Sequence, residues 1–479
     1  MKHIIKNNLG KKTLAFLMLL LIVSCSEDFV NVKTNQETES ALTAEKAPEL
    51  VNAIYNQFLQ WPTSTFSWIG ISSITSDDAS KGSSAGDTGT DKNLLDGLEI
   101  DATLLSVREV WSSHYAGIQR ANQSLSRLPL FDMDEDLKNR LIGEAKFLRA
   151  LFYFRLVKTY GGVPLLKAIT SIEDVTPDIL AKASKEDTYA FIEQDLKDAI
   201  LVLPEKSAYP NSELGRATKG AAKALLAKVS MYQNKWQEAK TLTDEIISSN
   251  EYGLTPNYED IWKETSENNI ESIFEIQARA DQPAAGVQGY SVSQGARGDG
   301  GFGWGFNTPT QDLADSYESG DTRRDATIMF RGEILFDGRE INVNAVNPMY
   351  NQKAYSSEFS DAWETGKNIR ILRYAEVLLI NAEAATQIGG DAATPLNLVR
   401  NRAGLTDIAS PTQMDVWKER RWELAFEHDR YFDLVRQGRA GDVLRSKGIP
   451  FVDNKHEVFP IPQEQIVKSG GVLIQNQGY

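Results

Sequence analysis

Residues 136–164 read DLKNRLIGEAKFLRALFYFRLVKTYGGVP. The apolar residues that recur about every four positions in this stretch are Leu137, Leu141, Ala145, Leu148, Phe152 and Leu156. That spacing predicts a helix with a wide apolar face, which other helices must cover on most sides. The helix should end at Gly161, because glycine accepts the left-handed closing conformation and Pro164 prevents the helix from resuming. The chain is therefore expected to be built around a buried helix.

Helical periodicity recurs over much of the remaining chain. The further predicted helices cover residues 43–59, 104–128, 187–203, 371–387, 396–403 and 413–436, and two more lie between 215 and 250. In that last pair, Ala221, Ala224 and Ala227 permit close packing, as in a tetratricopeptide unit, although no clean repeat is visible along the chain. The pattern predicts a mainly α fold that contains tetratricopeptide-like helical pairs.

Two long stretches lack this periodicity. Residues 62–101 are rich in Ser, Gly, Thr and Asp, and residues 252–370 are rich in Gly, Asn and aromatics. In the second stretch, strands are expected at 271–276 and 328–336, with a short helix at 309–317. Connections of this length are usually functional or disordered, so binding loops are expected here.

A glycine-rich segment, GDGGFGWGF at residues 298–306, has glycines in the spacing of a dinucleotide-binding fingerprint. No strand is predicted before it and no helix after it to receive a pyrophosphate, so a nucleotide site is not expected. The segment is predicted to be a flexible loop that presents Phe302, Trp304 and Phe306.

The N-terminus has the features of an export signal. Its first 24 residues contain four lysines and no acid, followed by an apolar run at residues 14–23 that is too short to span a bilayer. The sequence Ile22-Val23-Ser24-Cys25 resembles a bacterial lipobox, in which the cysteine is lipidated and becomes the new N-terminus. Residues 1–24 are therefore predicted to be a lipoprotein signal peptide, with residues 25–43 as a polar tether.

Charge and cysteine content exclude several classes of protein. The chain has 66 acidic and 51 basic residues and a formal net charge of −15. A nucleic-acid partner would require a basic face, so none is expected. Cys25 is the only cysteine, which rules out a disulfide within one chain. The fold must therefore be held by its core.

The stretch at residues 413–436 is dense in both charge and aromatic residues. As one helix, it would place Arg420 three residues from Glu423, Glu427 three from Arg430, and Arg430 three from Asp433. Such pairs are each expected to contribute about 0.2–0.5 kcal/mol.

The sequence offers little chemistry for catalysis. The histidines that follow the signal peptide are His114, His428 and His456; they are widely spaced, and no HExxH motif occurs. No metal or cofactor is therefore expected. A glycosidase needs only two carboxylates, for which Asp77 and Asp78 are the best candidates. Adjacent residues of an extended loop point to opposite sides, however, and these acids would serve equally well as acceptors for sugar hydroxyls.

A carbohydrate binder fits the composition better than an enzyme. Sugar rings stack their apolar C–H faces on Trp or Tyr, while their hydroxyls bond to acids and amides. The candidate ligand-binding residues in or beside the aperiodic stretches are Trp61, Trp68, Asp77, Asp78, Tyr290, Trp304 and Trp363. For each of them, packing in the core competes evenly with ligand contact. A scaffold that binds only proteins is a third alternative, but it leaves the loop tryptophans unexplained.

Several sequence blocks together resemble the SusD/RagB family of outer-membrane nutrient-binding lipoproteins. They are the lipobox at Cys25, GEAKFLRALFYFRLVKTYGGVPL from Gly143, RYAEVLLINAEA from Arg373, ERRWELAFEHDRYFDLVRQG from Glu419, and the FPIP and QNQGY endings. The resemblance implies a superhelical body of four tetratricopeptide-like pairs with an irregular, loop-rich ligand-binding subdomain. It also implies a lipid-anchored protein at the cell surface that sits as a lid on a TonB-dependent, SusC-like outer-membrane transporter.

The function implied is non-catalytic binding of a nutrient oligosaccharide or polysaccharide and its delivery to that transporter. A peptide or another nutrient remains an alternative ligand. Glycoside hydrolysis remains a less favoured alternative function. The implied division places a SusD-like N-terminal helical region at 44–251 and a RagB/SusD C-terminal region at 252–479. The latter includes the irregular binding subdomain at 252–370 and helices at 371–437.

Overall fold

The computed structural model describes residues 43–168, 176–281, 285–298, 300–357 and 363–479. Of the described residues, 43–47 belong to a first unit and 48–479 to a second, compact one. The described part of the first unit contains one 3-10 turn, Ala44–Lys46. The predicted signal peptide, Cys25 and all of the tether except Thr43 lie outside the described residues. Within the described ranges, no helix combines the length and the apolar character that a bilayer span requires.

Helices dominate the structure. The helices of the first half of the chain are α1 (Ala47–Gln57), α2 (Trp61–Ser64), α3 (Phe66–Ile69), α4 (Lys92–Asp96), α5 (Leu105–Arg127), α6 (Glu135–Tyr160), α7 (Pro177–Leu180), α8 (Lys185–Val202), α9 (Lys219–Tyr232) and α10 (Trp236–Ser249). Those of the second half are α11 (Tyr290–Gln294), α12 (Gln311–Ser316), α13 (Arg323–Thr327), α14 (Tyr374–Ile388), α15 (Ala393–Arg402), α16 (Gln413–Leu424), α17 (Arg430–Arg436), α18 (Ala440–Ser446) and α19 (Gln463–Lys468).

The helix expected at the centre of the fold is α6. Its first turn is capped by Asp134, whose Oδ1 accepts a hydrogen bond from the Leu137 N–H at 2.9 Å. It ends at Gly161, which has φ +74°. Phe147 and Phe152 are both fully buried, and α6 packs between α5 and α8. The predicted core helix is confirmed.

Helices that follow one another along the chain also pack on one another. The packed pairs are α5 with α6, α8 with α9, α9 with α10, and α14 with α15, while α10 packs on α14 across the intervening region. The predicted mainly α fold is confirmed by this arrangement.

The strands form four antiparallel pairs, each of two strands. They are β1 (Ala79–Gly82) with β4 (Phe306–Pro309), β2 (Ser272–Ile276) with β8 (Ile369–Arg373), β3 (Val287–Gln288) with β7 (Glu364–Thr365), and β5 (Ile328–Phe330) with β6 (Met349–Asn351). The expected strand at 271–276 is confirmed as β2. The strand expected at 328–336 is wrong beyond Phe330, because the chain turns there to meet β6.

The prediction that residues 62–101 form a long connection without regular structure is wrong. This segment contains α2, α3, a π-helical turn at Gly70–Ile74, β1 and α4, and residues 63–79 are buried without interruption. Its hydroxyl side chains bond to the backbone one turn earlier: Ser72 Oγ donates to the Trp68 carbonyl at 2.6 Å and Thr75 Oγ1 to the Ile71 carbonyl at 2.8 Å. Polar side chains that are satisfied locally can be buried, so the composition was misleading here.

The helix predicted at 413–436 is broken in two. It stops at Leu424, and α17 begins at Arg430. Between the two helices, Phe426 and His428 adopt φ values of +64° and +69°. Residues other than glycine rarely adopt this backbone conformation. Both are buried, so tertiary packing imposes the break.

The ion pairs expected along this helix are also wrong, since their members find partners elsewhere in the fold. Arg420 Nη2 lies 3.2 Å from both Glu376 and Asp433. Arg373 Nε lies 2.7 Å from Glu427, and Arg430 Nη2 lies 2.7 Å from Asp77. The charged side chains of residues 413–436 thus connect several elements of the fold instead of pairing along one helix surface.

Candidate functional aromatic platform

Three tryptophans from distant parts of the chain converge at one place. The Trp61 ring centroid lies 4.8 Å from that of Trp363 and 5.9 Å from that of Trp304, and the last two are 6.1 Å apart. Trp363 is 45% exposed, whereas Trp61 and Trp304 are partly buried. We call Trp61, Trp304 and Trp363 the aromatic platform. All three were among the residues expected to bind a ligand.

A second layer of rings lies against the platform on the buried side. Phe66 stacks on Trp61 at 4.8 Å and meets Phe306 edge-on at 4.8 Å. Both phenylalanines are less than 10% exposed. The Lys92 ammonium lies 4.2 Å from the centroid of the Phe66 ring. Because the rings beneath are packed on both sides, the platform has a firm support.

Backbone hydrogen bonds hold the three tryptophans together. The Gln288 N–H donates to the Leu59 carbonyl at 3.1 Å, and the Gly289 N–H donates to the Trp363 carbonyl at 2.7 Å. The Trp61 N–H in turn donates to Gln288 Oε1 at 3.1 Å. The short β3–β7 pair therefore joins Trp61 to Trp363 across more than half of the chain.

Gly289 makes room for the platform. Its φ is +70°, and a Cβ atom built there would lie 2.3 Å from Trp61 Cζ3 and 3.3 Å from Trp363 Cζ3. Real side chains do not approach so closely, so the two indoles can meet only beside a glycine.

The glycine-rich segment is packed rather than open, which corrects the prediction of a flexible loop presenting three aromatics. A Cβ atom on Gly303 would lie 2.5 Å from the Gly295 Cα, and the Trp304 N–H donates to the Val292 carbonyl at 2.8 Å. Phe302 and Phe306 are 8% and 5% exposed. The glycines allow this backbone to press against the end of α11, and among the three aromatics only Trp304 reaches the platform.

Trp68 is not available to a ligand, contrary to expectation. It is 2% exposed and stacks on Phe432 at 5.9 Å, while the Arg155 guanidinium covers its ring at 4.7 Å. Trp68 lies within the uninterrupted buried segment described above, so its indole serves the core.

Asp77 and Asp78 are also excluded as ligand contacts and as a catalytic pair. Each is about 97% buried or more, and they pair with Arg430 at 2.7 Å and with Arg421 at 2.7 Å, respectively. Burial favours a raised pKa for both carboxyls. The nearby Arg430 outweighs this effect at Asp77 and lowers its pKa, whereas burial prevails at Asp78 and raises its pKa. Both acids connect the 75–80 segment to the α16–α17 region.

Tyr290 is buried as well, at 5% exposure. Its hydroxyl lies 3.3 Å from His428 Nε2, and burial raises the pKa of this phenol. Tyr290 begins α11, directly after Gly289. It therefore anchors the base of the platform and is not part of its surface.

The charged side chains beside Trp304 are paired. Arg297 Nη1 donates to Ser83 Oγ at 2.7 Å and to the Trp304 carbonyl at 3.3 Å, and it also pairs with Asp87. The Ser83 hydroxyl lowers the pKa of the Asp87 carboxyl by hydrogen bonding. This edge of the platform has no net charge and suits a neutral ligand.

Sequence reasoning missed Gln288 and Gly289, and it did not include Phe66 or Arg297 among the candidate ligand-binding residues, although all four build or border the platform. Their contacts connect residues more than 200 positions apart, so no local pattern indicated them. Among the described residues, no group of three or more His, Cys, Asp or Glu side chains is arranged to hold a metal ion.

Comparisons with known proteins place the chain in a family. A family model described as the SusD family matches residues 270–479, and another, described as starch-binding associating with outer membrane, matches residues 28–231. The SusD-like protein P2 of Formosa agariphila is 28% identical over 415 residues, which cover 78% of this chain and 81% of that protein.

Two solved structures are similar over nearly the whole chain. A laminarin-binding SusD-like protein is 30% identical with a TM-score of 0.77, and the match covers 91% of this chain and 100% of the other. Surface glycan-binding protein A from Bacteroides thetaiotaomicron, in complex with laminarihexaose, is 28% identical with a TM-score of 0.78 and the same coverage. These matches confirm the resemblance seen in the sequence blocks: the chain belongs to the SusD/RagB family.

Proposed function

We propose that this protein binds a neutral nutrient glycan at the aromatic platform and does not cleave it. The observation that carries this proposal is the convergence of three tryptophans, one of them 45% exposed, on a supported surface whose edge at Trp304 carries paired charges. Pyranose rings present apolar C–H faces of a size that matches an indole. Base stacking on aromatic side chains contributes about 1–3 kcal/mol per ring, and sugar stacking is expected to be comparable by analogy.

Such a site captures and releases its ligand. Two stacked rings at about 1–3 kcal/mol each give dissociation constants from the millimolar range downward once hydroxyl hydrogen bonds are added. A protein that delivers a glycan to a transporter needs this reversibility.

The buried carboxylates support binding without cleavage. The best candidate pair, Asp77 and Asp78, is buried in ion pairs with Arg430 and Arg421, so neither can reach a glycosidic oxygen. The similar proteins are named as binding proteins rather than enzymes, which supports the same conclusion.

Laminarin-type glucans are the first ligands to test, because two of the similar structures are named for laminarin or laminarihexaose. We further propose that Cys25 carries the lipid anchor, that the protein faces the cell exterior, and that a TonB-dependent, SusC-like transporter receives the glycan. The family description that names association with the outer membrane supports this location.

Isothermal titration with laminarihexaose tests the binding site. Trp363→Ala and Trp304→Ala should each weaken binding about tenfold, the loss of roughly 1–2 kcal/mol of stacking. Trp236→Ala is the matched control, since Trp236 is also partly buried but lies on α10 in the helical body. Unchanged affinity in both platform variants, with unfolding as in the wild type, would reject the platform. If laminarihexaose does not bind, the same variants are tested against the glycan that a polysaccharide panel identifies.

The anchor is tested separately. Cys25→Ala should move the protein from the membrane fraction to the soluble fraction, because acyl chains contribute about 0.8 kcal/mol per buried methylene. Retention of this variant in membranes would contradict lipid attachment at Cys25.

A further inference from the structure

A second concave site lies between α1 and β2, apart from the aromatic platform. It is a pocket of about 250 Å³, below the roughly 300–1,000 Å³ typical of drug-sized ligands. One wall is a face of α1, where Asn52, Tyr55 and Asn56 lie at helical spacing, and Leu59 lies two residues beyond the end of that helix. The volume restricts the occupant to about one small ring.

The floor of the pocket is apolar. It is formed by Phe58, Leu59, Phe274 and Ile276, all less than 5% exposed in the free protein. Tyr55 lies beside Phe274, with ring centroids 6.4 Å apart. A ligand on this floor must present at least one apolar face.

The rim carries uncharged polar groups. Asn52 and Asn56 are exposed on α1, and Ser212 is exposed across the opening. Asn52 uses its carbonyl oxygen to accept a hydrogen bond from Arg216 Nη2 at 3.3 Å, which leaves its NH₂ group to donate to a ligand. These amide and hydroxyl groups suit a ligand that carries several hydroxyls.

The charged groups of the pocket are neutralised by one another. Arg216 Nη1 lies 3.0 Å from Glu144, and Arg216 Nε lies 3.7 Å from Glu213. Glu144 also accepts a hydrogen bond from the Tyr55 hydroxyl at 2.9 Å, and Arg140 pairs with Glu213. No single charge is left over to select an ionic ligand, so the chemistry favours a neutral one.

The pocket is already shaped without a ligand. Gly215 has φ +95°, and a Cβ atom there would lie 2.2 Å from Gln277 Cδ, so glycine allows the 211–216 segment to close against the end of β2. Gln277 is held in place by Asn268, with hydrogen bonds of 2.8 and 3.0 Å in the two directions. A preformed wall reduces the ordering cost of binding.

We propose that this pocket is a second saccharide site that takes one neutral pyranose unit. The ring would lay its C–H face on the floor made by Leu59 and Phe274, and its hydroxyls would bond to the amides of Asn52 and Asn56. This site shares no side chain with the aromatic platform, so its occupancy does not depend on the function proposed for the three tryptophans.

The test uses methyl β-D-glucopyranoside and the full-length protein with Trp304→Ala and Trp363→Ala, which removes two of the three indoles of the platform. Ligand-observed NMR should still detect binding. Adding Asn52→Ala and Asn56→Ala should weaken that binding about fivefold or more, the effect expected for loss of one neutral hydrogen bond. Leu214 lies at the opening and is 37% exposed, so Leu214→Trp, which places an indole there, should abolish binding.

The matched control is Asn139→Ala with Asn401→Ala, two exposed helical asparagines outside the pocket, which should leave binding unchanged. No binding by the platform-deficient protein, or equal binding by the pocket variants and the control, would overturn the second site. Neither result would affect the platform, whose own test is the tryptophan series in otherwise unaltered protein.

Discussion

At the scale of single residues, the platform depends on a missing side chain. Gly289 has a positive φ and touches both Trp61 and Trp363, so its two roles, backbone conformation and close approach, can be separated by experiment. Gly389 offers the comparison, because it has φ +82° and a Cβ atom added to it would meet no other atom within 4 Å.

Gly289→Ala is expected to weaken glycan binding about tenfold, because displacing one indole removes a stacking surface worth about 1–3 kcal/mol. Gly389→Ala should cost a similar amount of stability, about 1–2 kcal/mol for a left-handed alanine, without changing affinity. Titration calorimetry and chemical unfolding of both variants measure the two effects. Equal affinities in the two variants would show that Gly289 does not shape the site.

The candidate residues show where sequence information stops. Trp61, Trp304 and Trp363 form the platform, whereas Trp68, seven residues after Trp61, is in the core. The same aperiodic, polar composition surrounds Trp61 and Trp68. What distinguishes them is contact with residues more than 200 positions away, Gly289 for Trp61 and Phe432 for Trp68, and no local pattern carries that information.

At the scale of elements, long periodic helices were predicted closely, and the broken one was not. Helix α6 was expected over residues 136–160 and spans Glu135–Tyr160. Nothing in the local sequence predicts the break between α16 and α17, because Phe426 and His428 are neither glycine nor proline. Burial of these two side chains stabilises a backbone conformation that their own preferences oppose.

Gly117 in α5 gives an element-scale prediction. An alanine in an exposed helix position stabilises by roughly 0.5–1 kcal/mol relative to glycine. Here a Cβ atom would lie 2.3 Å from the Phe152 ring of α6, and that ring is stacked on Phe58 at 4.2 Å, so it cannot move aside. Overpacking of this kind costs about 1–3 kcal/mol. Gly117→Ala should therefore destabilise the protein in urea unfolding.

Ser112→Ala is the control for this substitution, because Ser112 is exposed on the same helix and should change stability by less than about 0.5 kcal/mol. A stabilised Gly117→Ala protein would mean that α5 and α6 can separate at this point, and that the helix pair is less tightly packed than described.

At the scale of the whole molecule, a buried network of charges connects β8, α13, α15 and α16. Glu423 lies at its centre, 3.0 Å from Arg373, 2.6 Å from Arg402 and 3.2 Å from Arg323. These arginines come from β8, α15 and α13. All four side chains are at most 3% exposed, so each charge relies on the others.

Glu423→Gln should destabilise the protein by about 3–5 kcal/mol, the cost of leaving buried charges without their partner. The control is Asp453→Asn, which removes an exposed pair with Arg445 and should cost under about 1 kcal/mol. Equilibrium unfolding of both variants at neutral pH measures the difference. Similar small losses in both would show that the buried network does not hold these elements together.

The same network makes stability depend on acid. Burial alone would raise the pKa of Glu423, but Arg402, Arg373 and Arg323 outweigh burial and hold its pKa far below the ordinary 4.5. As pH falls below 4.5, Glu423 becomes protonated in the unfolded chain but stays ionised in the folded one. The stabilisation that its ion pairs provide at neutral pH is therefore lost. The free energy of unfolding should therefore decrease as pH falls from about 4.5 towards 2.

Glu423→Gln should reduce that slope, by up to about 1.4 kcal/mol per pH unit for one proton. Urea unfolding between neutral pH and the acid limit of reversibility, in wild type and variant, provides the measurement. Parallel pH profiles would show that Glu423 does not contribute to acid sensitivity.

The sequence alone determined the mainly α class, the extent of the long helices and the family, because apolar periodicity, helix caps and ordered sequence blocks are local features. It also indicated the tryptophans as candidate ligand-binding residues, since large aromatics are uncommon in polar segments. Tertiary structure alone decided which tryptophans form a surface and which carboxylates are buried in ion pairs with arginines. It also decided where the helix predicted at 413–436 breaks. These outcomes depend on burial and on contacts between residues hundreds of positions apart, and the cost of burying a ring or a charge is set by partners that the local sequence does not contain.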